Sequence, residues 1–501
     1  MISLSNIRVT YSGLLTFVFG IFGIFTGMLL TIILTRSLTP TEFGTWGLII
    51  TILGYVVIIE PIISYWATRE IARKNLVGST AIFSSAAFSC GGVIIYLIIS
   101  YIFGFNTDAN NSILLFGVIL IPSIFLNKTL MAIVFGWKPH LVNYGMFTYG
   151  ILQIPFSLLF VFYLEMGVSG IILSTLIANI SSAIVYAIYS RNIINTKIKI
   201  DHLKKWIKLF WLPTLYPGIF NILTILDVAI FSLIVGSMTG LAFWIVSMTL
   251  PNLIAQAATI SRVVYPKLIG EKTHDYLTSN ITLFFYFLIP LTSLSIIFAK
   301  PILFLLNPFY EQAFLIAIFV SLFTFFNTSS HVFQLFLMGK EDVDTNKKSH
   351  FIDYIKSKLF TIPSILILQY VIYLIILTII FFVLKNDLPE LELVLYWSIL
   401  SMVISIPFSV YLFSLVRKTF TLKLESKLIL KYLVVSISIF STVYLITEEF
   451  LIYSENIFEF IPQLLLFIMI GVISYLTITF FVDSRIRKLF YAIINQLRNT
   501  S

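Results

Sequence analysis

The sequence predicts an all-α integral membrane protein of about fourteen transmembrane helices, arranged as two six-helix lobes in a pseudo-twofold relation plus two C-terminal helices. Three observations predict it. Of 501 residues, 59% are hydrophobic and only 11% are charged, against about 25% charged in a soluble domain. Apolar stretches recur from one end of the chain to the other and leave no room for a separate soluble domain. Threaded through a bilayer, these stretches place nearly all lysine and arginine on one side.

The expected spans are 11–35, 43–66, 79–104, 113–135, 146–164, 169–190, 209–235, 241–264, 279–299, 312–338, 361–384, 393–416, 429–447 and 461–482. A spanning helix needs about 20 apolar residues. The first run is too long for a typical signal peptide and no clear cleavage site follows it, so it reads as a retained helix. An even number of spans puts both termini on one side. The odd-numbered loops hold only Arg36, Lys300 and Lys385 of the 32 basic residues. The rest lie at the termini, in the even-numbered loops or toward those helix ends, in clusters such as Arg69/Arg73/Lys74 and Lys197/Lys199/Lys204/Lys205/Lys208. That side, with both termini, is expected to be cytoplasmic, in the plasma membrane. The opposite loops are acidic: Asp108, Glu165, Asp387, Glu390, Glu392, Glu448, Glu449, Glu455 and Glu459. The net charge of +9 is spread over many short loops and forms no continuous patch, which argues against nucleic acid as a partner. Cys90 is the single cysteine, so an intrachain disulfide and a cysteine metal site are excluded.

Spans one and two are joined by Arg36-Ser37-Leu38-Thr39-Pro40-Thr41-Glu42-Phe43-Gly44-Thr45-Trp46. Pro40 cannot continue the first helix. Thr39 and Glu42 have the spacing of a capping box, and Gly44 lets backbones approach closely. This Arg-x-Leu-x-Pro-x-Glu-Phe-Gly-x-Trp joint, with the whole-chain layout, resembles the Wzx-type polysaccharide flippases of the multidrug/oligosaccharidyl-lipid/polysaccharide (MOP) transporter superfamily. The resemblance implies six-plus-six lobes with spans thirteen and fourteen appended, and a lipid-linked oligosaccharide as substrate. By analogy with the related lipid II flippases, Lys431–Thr447 and Ile461–Val482 would face a polyprenyl chain. Within the chain, span two repeats weakly in span eight, where Gly44, Trp46 and Thr51 match Ala242, Trp244 and Thr249. The expected domains are 1–190, a basic linker 191–208, a second lobe 209–416, and 417–501 with the extra helices and a basic tail. Within 339–360, Phe351, Ile352, Ile355 and Leu359 can share one face of a helix lying on the inner leaflet, and 191–208 is similar; a solvated loop is the alternative.

Charges inside a membrane are costly and mark functional candidates. Glu60, followed by Pro61, and Lys128 both lie about 10 Å from the inner ends of their spans at 1.5 Å per residue. They read as a pair: either a structural salt bridge, or a substrate site in which Lys128 meets phosphate and Glu60 holds it. Asp227 sits deep in span seven with no lysine or arginine at its depth. It reads either as a coupling site exchanging H⁺ or holding Na⁺, or as a carboxyl bonded to a neighbouring hydroxyl or water. An Asp in the seventh helix also occurs in many members of the resembled family. Arg262 and Arg69, near the inner ends of spans eight and two, read as phosphate contacts or as snorkelling anchors. Arg36 is the candidate anion contact at the outer mouth, with pairing to Glu42 as the alternative, and His331 and Gln334 are cavity-lining candidates. Pro213, Pro217 and Gly218 interrupt span seven and make it the candidate hinge.

No phosphate loop, His-Glu-x-x-His or metal cluster occurs. The expected function is therefore a non-enzymatic, gradient-driven flippase for polyprenyl-linked oligosaccharide, monomeric and without cofactor. Its expected partners are the lipid-linked glycan, membrane lipids, H⁺ or Na⁺, and a polysaccharide polymerase or glycosyltransferases. A multidrug–cation antiporter of the same superfamily is the main alternative. A polytopic glycosyltransferase is disfavoured because the acidic outer loops are short, and a membrane scaffold would need no buried charges.

Overall fold

The computed structural model describes residues 23–24, 26–262, 276–341, 351–420, 426–488 and 491, without the side chains of 211–217, 262, 276, 351 and 354. Among them every regular element is helical. Eleven helices are long and apolar enough to cross a membrane, and a bent pair makes a twelfth. Thr26–Ser37 and Gly218–Ile234 are shorter apolar helices at the places of spans one and seven. Together these account for the fourteen expected spans; residues 11–22 of the first lie outside the described residues.

Two spans expected to be continuous are broken, each at a proline that opens the next helix. Span two is Pro40–Val57 followed by Pro61–Ala72. Span eight is Met238–Ser247 followed by Pro251–Ala255 and Ala257–Arg262, and it bends by 42°. Proline has no N–H to donate, so it is tolerated in a first helical turn and breaks the ladder of the turn before. The interruption expected at Pro213 and Pro217 is absent: Trp211–Ile234 runs as one helix through both. Pro213 falls in its first turn, where backbone donors lack helical partners anyway.

The chain packs as two compact units. One comprises 29–245 and 370–393, so span seven, which the sequence assigns to the second lobe, groups by packing with spans one to six. At this unit's acidic end, spans two and eight meet closely. A Cβ on Gly44 would overlap the Met238 carbonyl oxygen, and one on Gly47 would overlap Ile245 Cδ1. The Thr41 and Thr239 hydroxyls bond at 3.2 Å across a separation of 198 residues. Gly47 and Ile245 are separated by the same number, as are the repeat pairs Trp46/Trp244 and Thr51/Thr249. A segment that touches its own repeat at equivalent positions lies on a pseudo-twofold axis. The loop before span eight is tied in as well: Met238 N–H donates to Asp108 Oδ1 at 2.8 Å, and Asp108 N–H donates to Gly236 O at 3.1 Å. Gly236 has φ +78, open to glycine at little cost.

At the opposite, basic end of the same unit, the linker folds into the short helix Ile200–Lys208. Trp206 is fully buried in a core with Trp66, Ile71, Val77, Ala81 and Ile133. Lys205 Nζ lies 3.5 Å from Glu70 Oε1, and Asn75 Nδ2 donates to Glu70 Oε2 at 2.7 Å. Burial opposes the charge on Glu70, but the Asn75 bond and the Lys205 ammonium outweigh it and hold the carboxyl below its ordinary value. A carboxyl with a depressed folded-state value stabilises the fold fully above its unfolded value, and that contribution is lost as pH falls through the folded one. We therefore expect Glu70→Gln to loosen the linker helix by about 1–2 kcal/mol. Backbone hydrogen exchange over 200–208 reports it; acidification should loosen the wild type and leave the variant unchanged.

The second unit comprises 246–369 and 394 onward, with the chain before Leu29. Here spans thirteen (Ser426–Phe450) and fourteen (Ile457–Val482) are fixed to span nine (Tyr276–Ile297). Ser436 donates to Ser293 at 2.9 Å, Gly471 makes room for Phe440, and Tyr475 Oη donates to Tyr286 O at 2.9 Å. Tyr432 Oη donates to Asp483 beyond the end of span fourteen. The far sides of both helices expose Val434, Ile437, Met469 and Ile473.

Candidate functional site

Of the residues singled out by charge, Glu60 and Lys128 come together at the break in span two. Between its two helices, Glu60 N–H donates to Val57 O at 3.0 Å and the chain restarts at Pro61. This kink turns Glu60 inward, and its side chain is only 2% exposed. Ser64 bonds the carboxyl, and Lys128 is close enough to act on it electrostatically. They do not form the expected direct ion pair: Glu60 Oε1 is fully buried and has no hydrogen-bond partner. Among the described residues, no hydrogen bond or ion pair holds the half-buried Lys128 ammonium. Beside it, Asn127 Nδ2 donates to Asn179 O at 2.8 Å, tying spans four and six together. The result is a carboxylate oxygen and an ammonium, both with unused bonding capacity and both in the basic half of the bundle. Such a pair suits a group that both accepts and donates, as a phosphate and its attached sugar hydroxyls do.

Five residues before Glu60, on the same span, Tyr55 Oη donates to Ile225 O at 2.6 Å. That bond holds span seven two residues from Asp227. Asp227 is 9% exposed, and its carboxyl is bonded to a neighbouring hydroxyl, as one of its two sequence readings expects. Tyr373 Oη, from span eleven, donates to its Oδ2 at 2.9 Å, and Val228 N–H donates to Oδ1 at 2.8 Å. Tyr55 also feels the Asp227 charge. Span two thus borders both charge centres: its first helix bonds span seven beside Asp227 through Tyr55, and the break after that helix places Glu60 near Lys128.

No protein-family model matches the sequence, and no curated protein matches it. Solved structures do. The lipid II flippase MurJ in an inward closed conformation is similar over 93% of this chain and 98% of its own, at 17% identity and TM-score 0.65. A multidrug resistance MATE family transporter of the MOP superfamily, inward-facing, is similar over 79% of this chain and 95% of its own, at 12% identity and TM-score 0.55. The chain has the fold that these two structures share. A MOP superfamily transporter from Pyrococcus furiosus with a binding pocket of reversed polarity is similar over 82% of this chain and 96% of its own, at 11% identity and TM-score 0.55.

The remaining candidates lie on other helices or at helix ends. Arg69 is exposed, donates to Tyr65 Oη one turn earlier and lies 5.3 Å from that ring's centre. This is the geometry of an anchor at a helix end. Glu42 is engaged by Thr39, whose N–H and Oγ1 both donate to Oε2 at 2.9 Å, in the expected capping box. Arg36 is half-buried at the end of Thr26–Ser37. His331 is half-buried in Phe314–Gly339, one turn from Gln334, whose amide donates to Met338 Sδ at 3.6 Å. The side chains of Arg262, Pro213 and Pro217 lie outside the described residues, and Gly218 is buried in the span-seven helix. Sequence reasoning missed Tyr373, Tyr55 and Asp108 as partners. Tyr373 and Tyr55 are ordinary members of apolar runs, and Asp108 reads as one of several acidic loop residues.

Proposed function

We propose that this chain is a flippase that moves a polyprenyl-linked oligosaccharide from the cytoplasmic to the outer leaflet of the plasma membrane, alternately exposing its site to the two sides. The observation that carries the reading is the free Lys128 ammonium beside the unsatisfied Glu60 oxygen, within the half of the helices that bears the basic clusters. A cytoplasmic basic end follows from the loop charges. An anionic head group enters from there, its phosphate drawn to Lys128, with Arg69 and Arg262 at the mouth. Arg36 meets it at the far side, and His331 lines the path. Asp227 couples the cycle to H⁺ or Na⁺, with Tyr373 as the donor that must re-bond when its charge changes. Likeness to a lipid II flippase over 93% of the chain supports a lipid-linked substrate. Export of small cationic drugs is the second reading, supported by likeness to a multidrug resistance MATE family transporter over 79% of the chain.

The test is the sidedness of lipid-linked oligosaccharide in cells lacking the protein and any redundant flippase. The proposal expects accumulation on the cytoplasmic leaflet, reversed by wild type. Normal sidedness together with heightened drug sensitivity would transfer the assignment to drug export. In the same assay Lys128→Gln should slow flipping roughly 10–100-fold, the worth of one charge-assisted hydrogen bond, while Lys128→Arg keeps most of the activity.

A further inference from the structure

The linker helix Ile200–Lys208 has three edges. One faces the protein and carries buried Trp206 with half-buried His202 and Leu203. The next is apolar and uncovered: Ile200 is 59% exposed and Ile207 48%, with Ile198 and Phe210 exposed at the two ends. The third is basic, with Lys204 and Lys208 one turn apart and both exposed, and with Asp201 as its acidic member. Lys197 and Lys199 extend it. They stand on a backbone pinned by two bonds, from Thr196 N–H to Ser79 Oγ at 3.1 Å and from Lys199 N–H to Thr80 Oγ1 at 2.9 Å. A nine-residue helix is not stable alone in water. Here the Trp206 plug and the Lys205–Glu70 pair hold it at the basic end of the bundle, so its apolar and basic edges keep one orientation.

We propose that this helix is a docking site for anionic phospholipid. The Lys204/Lys208 edge, with Lys197 and Lys199, binds the phosphate of a net-negative headgroup, and Ile198, Ile200, Ile207 and Phe210 take its acyl chains. Charge complementarity names the occupant. Four exposed ammonium groups border an apolar strip at the basic end of the helices, and that is the layout of an interfacial helix. Lys205 is excluded, because Glu70 already holds it.

The test uses the full chain in bilayer nanodiscs containing spin-labelled phosphatidylglycerol or phosphatidylcholine. A preference for phosphatidylglycerol is expected, weakened by salt and lowered on the order of tenfold or more in Lys204→Gln/Lys208→Gln, since each lysine near an anionic surface is worth about fivefold. Both lysines are exposed, so the variant should keep the wild-type thermal midpoint; if it does not, Lys204→Arg/Lys208→Arg must retain the preference. Equal retention of the two lipids, or the same preference in wild type and the Gln variant, overturns the proposal. So does full competition by millimolar glycerol phosphate, which would make the site one for soluble phosphate.

Discussion

Gly44→Val should yield no folded, active protein, and Gly44→Ala should lower the thermal midpoint by several degrees and abolish transport. Overpacking a filled contact costs about 1–3 kcal/mol when a side chain can yield. At Gly44 the obstacle is the Met238 carbonyl oxygen and carbon, which are backbone at the start of span eight. They cannot move without disturbing the Asp108 bond to Met238 N–H. Gly47 provides the contrast, because its added Cβ would meet only the tip of Ile245. Gly47→Ala should therefore be mild and should be restored by Ile245→Ala, whereas no single change restores Gly44→Ala. Gly91→Ala and Gly150→Ala, where a Cβ meets open space, serve as neutral controls. Detergent-solubilised thermal midpoints and the sidedness assay read all six variants. A stable, active Gly44→Val would mean that spans two and eight do not need this crossing.

Asp227→Asn should abolish transport, by at least about 100-fold for loss of an obligatory coupling group, and should leave the thermal midpoint within a few degrees of wild type. Asparagine keeps an acceptor for Tyr373 Oη and for Val228 N–H but cannot carry a proton or hold a cation as a carboxylate does. Asp227→Ala loses both functions and strands the Tyr373 hydroxyl, which adds about 1–3 kcal/mol of destabilisation. Tyr373→Phe isolates the structural part. If Asp227→Asn transports normally while Asp227→Ala and Tyr373→Phe are merely unstable, the carboxyl is a structural acceptor and coupling resides elsewhere.

The spans were legible because a bilayer imposes one length and one composition on every helix that crosses it. Fourteen runs of the required length, with their basic residues to one side, leave little freedom. The capping box at Thr39 and Glu42 was equally legible, because its partners are three residues apart. Pro61 and Pro251 carried the signal for the two breaks, but a hydropathy run passes over a proline without a dip. Partners across the bundle were not legible. Nothing in the run around Tyr373 marks it as facing Asp227, since pairing depends on helix rotation, which apolar sequences on all sides do not fix. For the same reason the equal depth expected for Glu60 and Lys128 could not say whether they bond. The anchoring of the linker by Trp206 was not legible: the segment reads as an amphipathic helix on the inner leaflet or a solvated loop, and neither reading buries Trp206 in the protein.

Thr41 facing Thr239 and Gly47 facing Ile245 bear on how duplicated halves diverge. Where two copies of a segment cross on their shared axis, each side chain meets its own duplicate. A hydroxyl can bond another hydroxyl, so Thr41 and Thr239 could remain identical. A large apolar side chain cannot occupy the same space as its copy, and neither can two glycines fill it. One copy must shrink as the other grows, as Gly47 and Ile245 have. The ancestral likeness of the halves is therefore erased first where they touch most closely. Trp46 and Trp244 keep the same residue at equivalent positions.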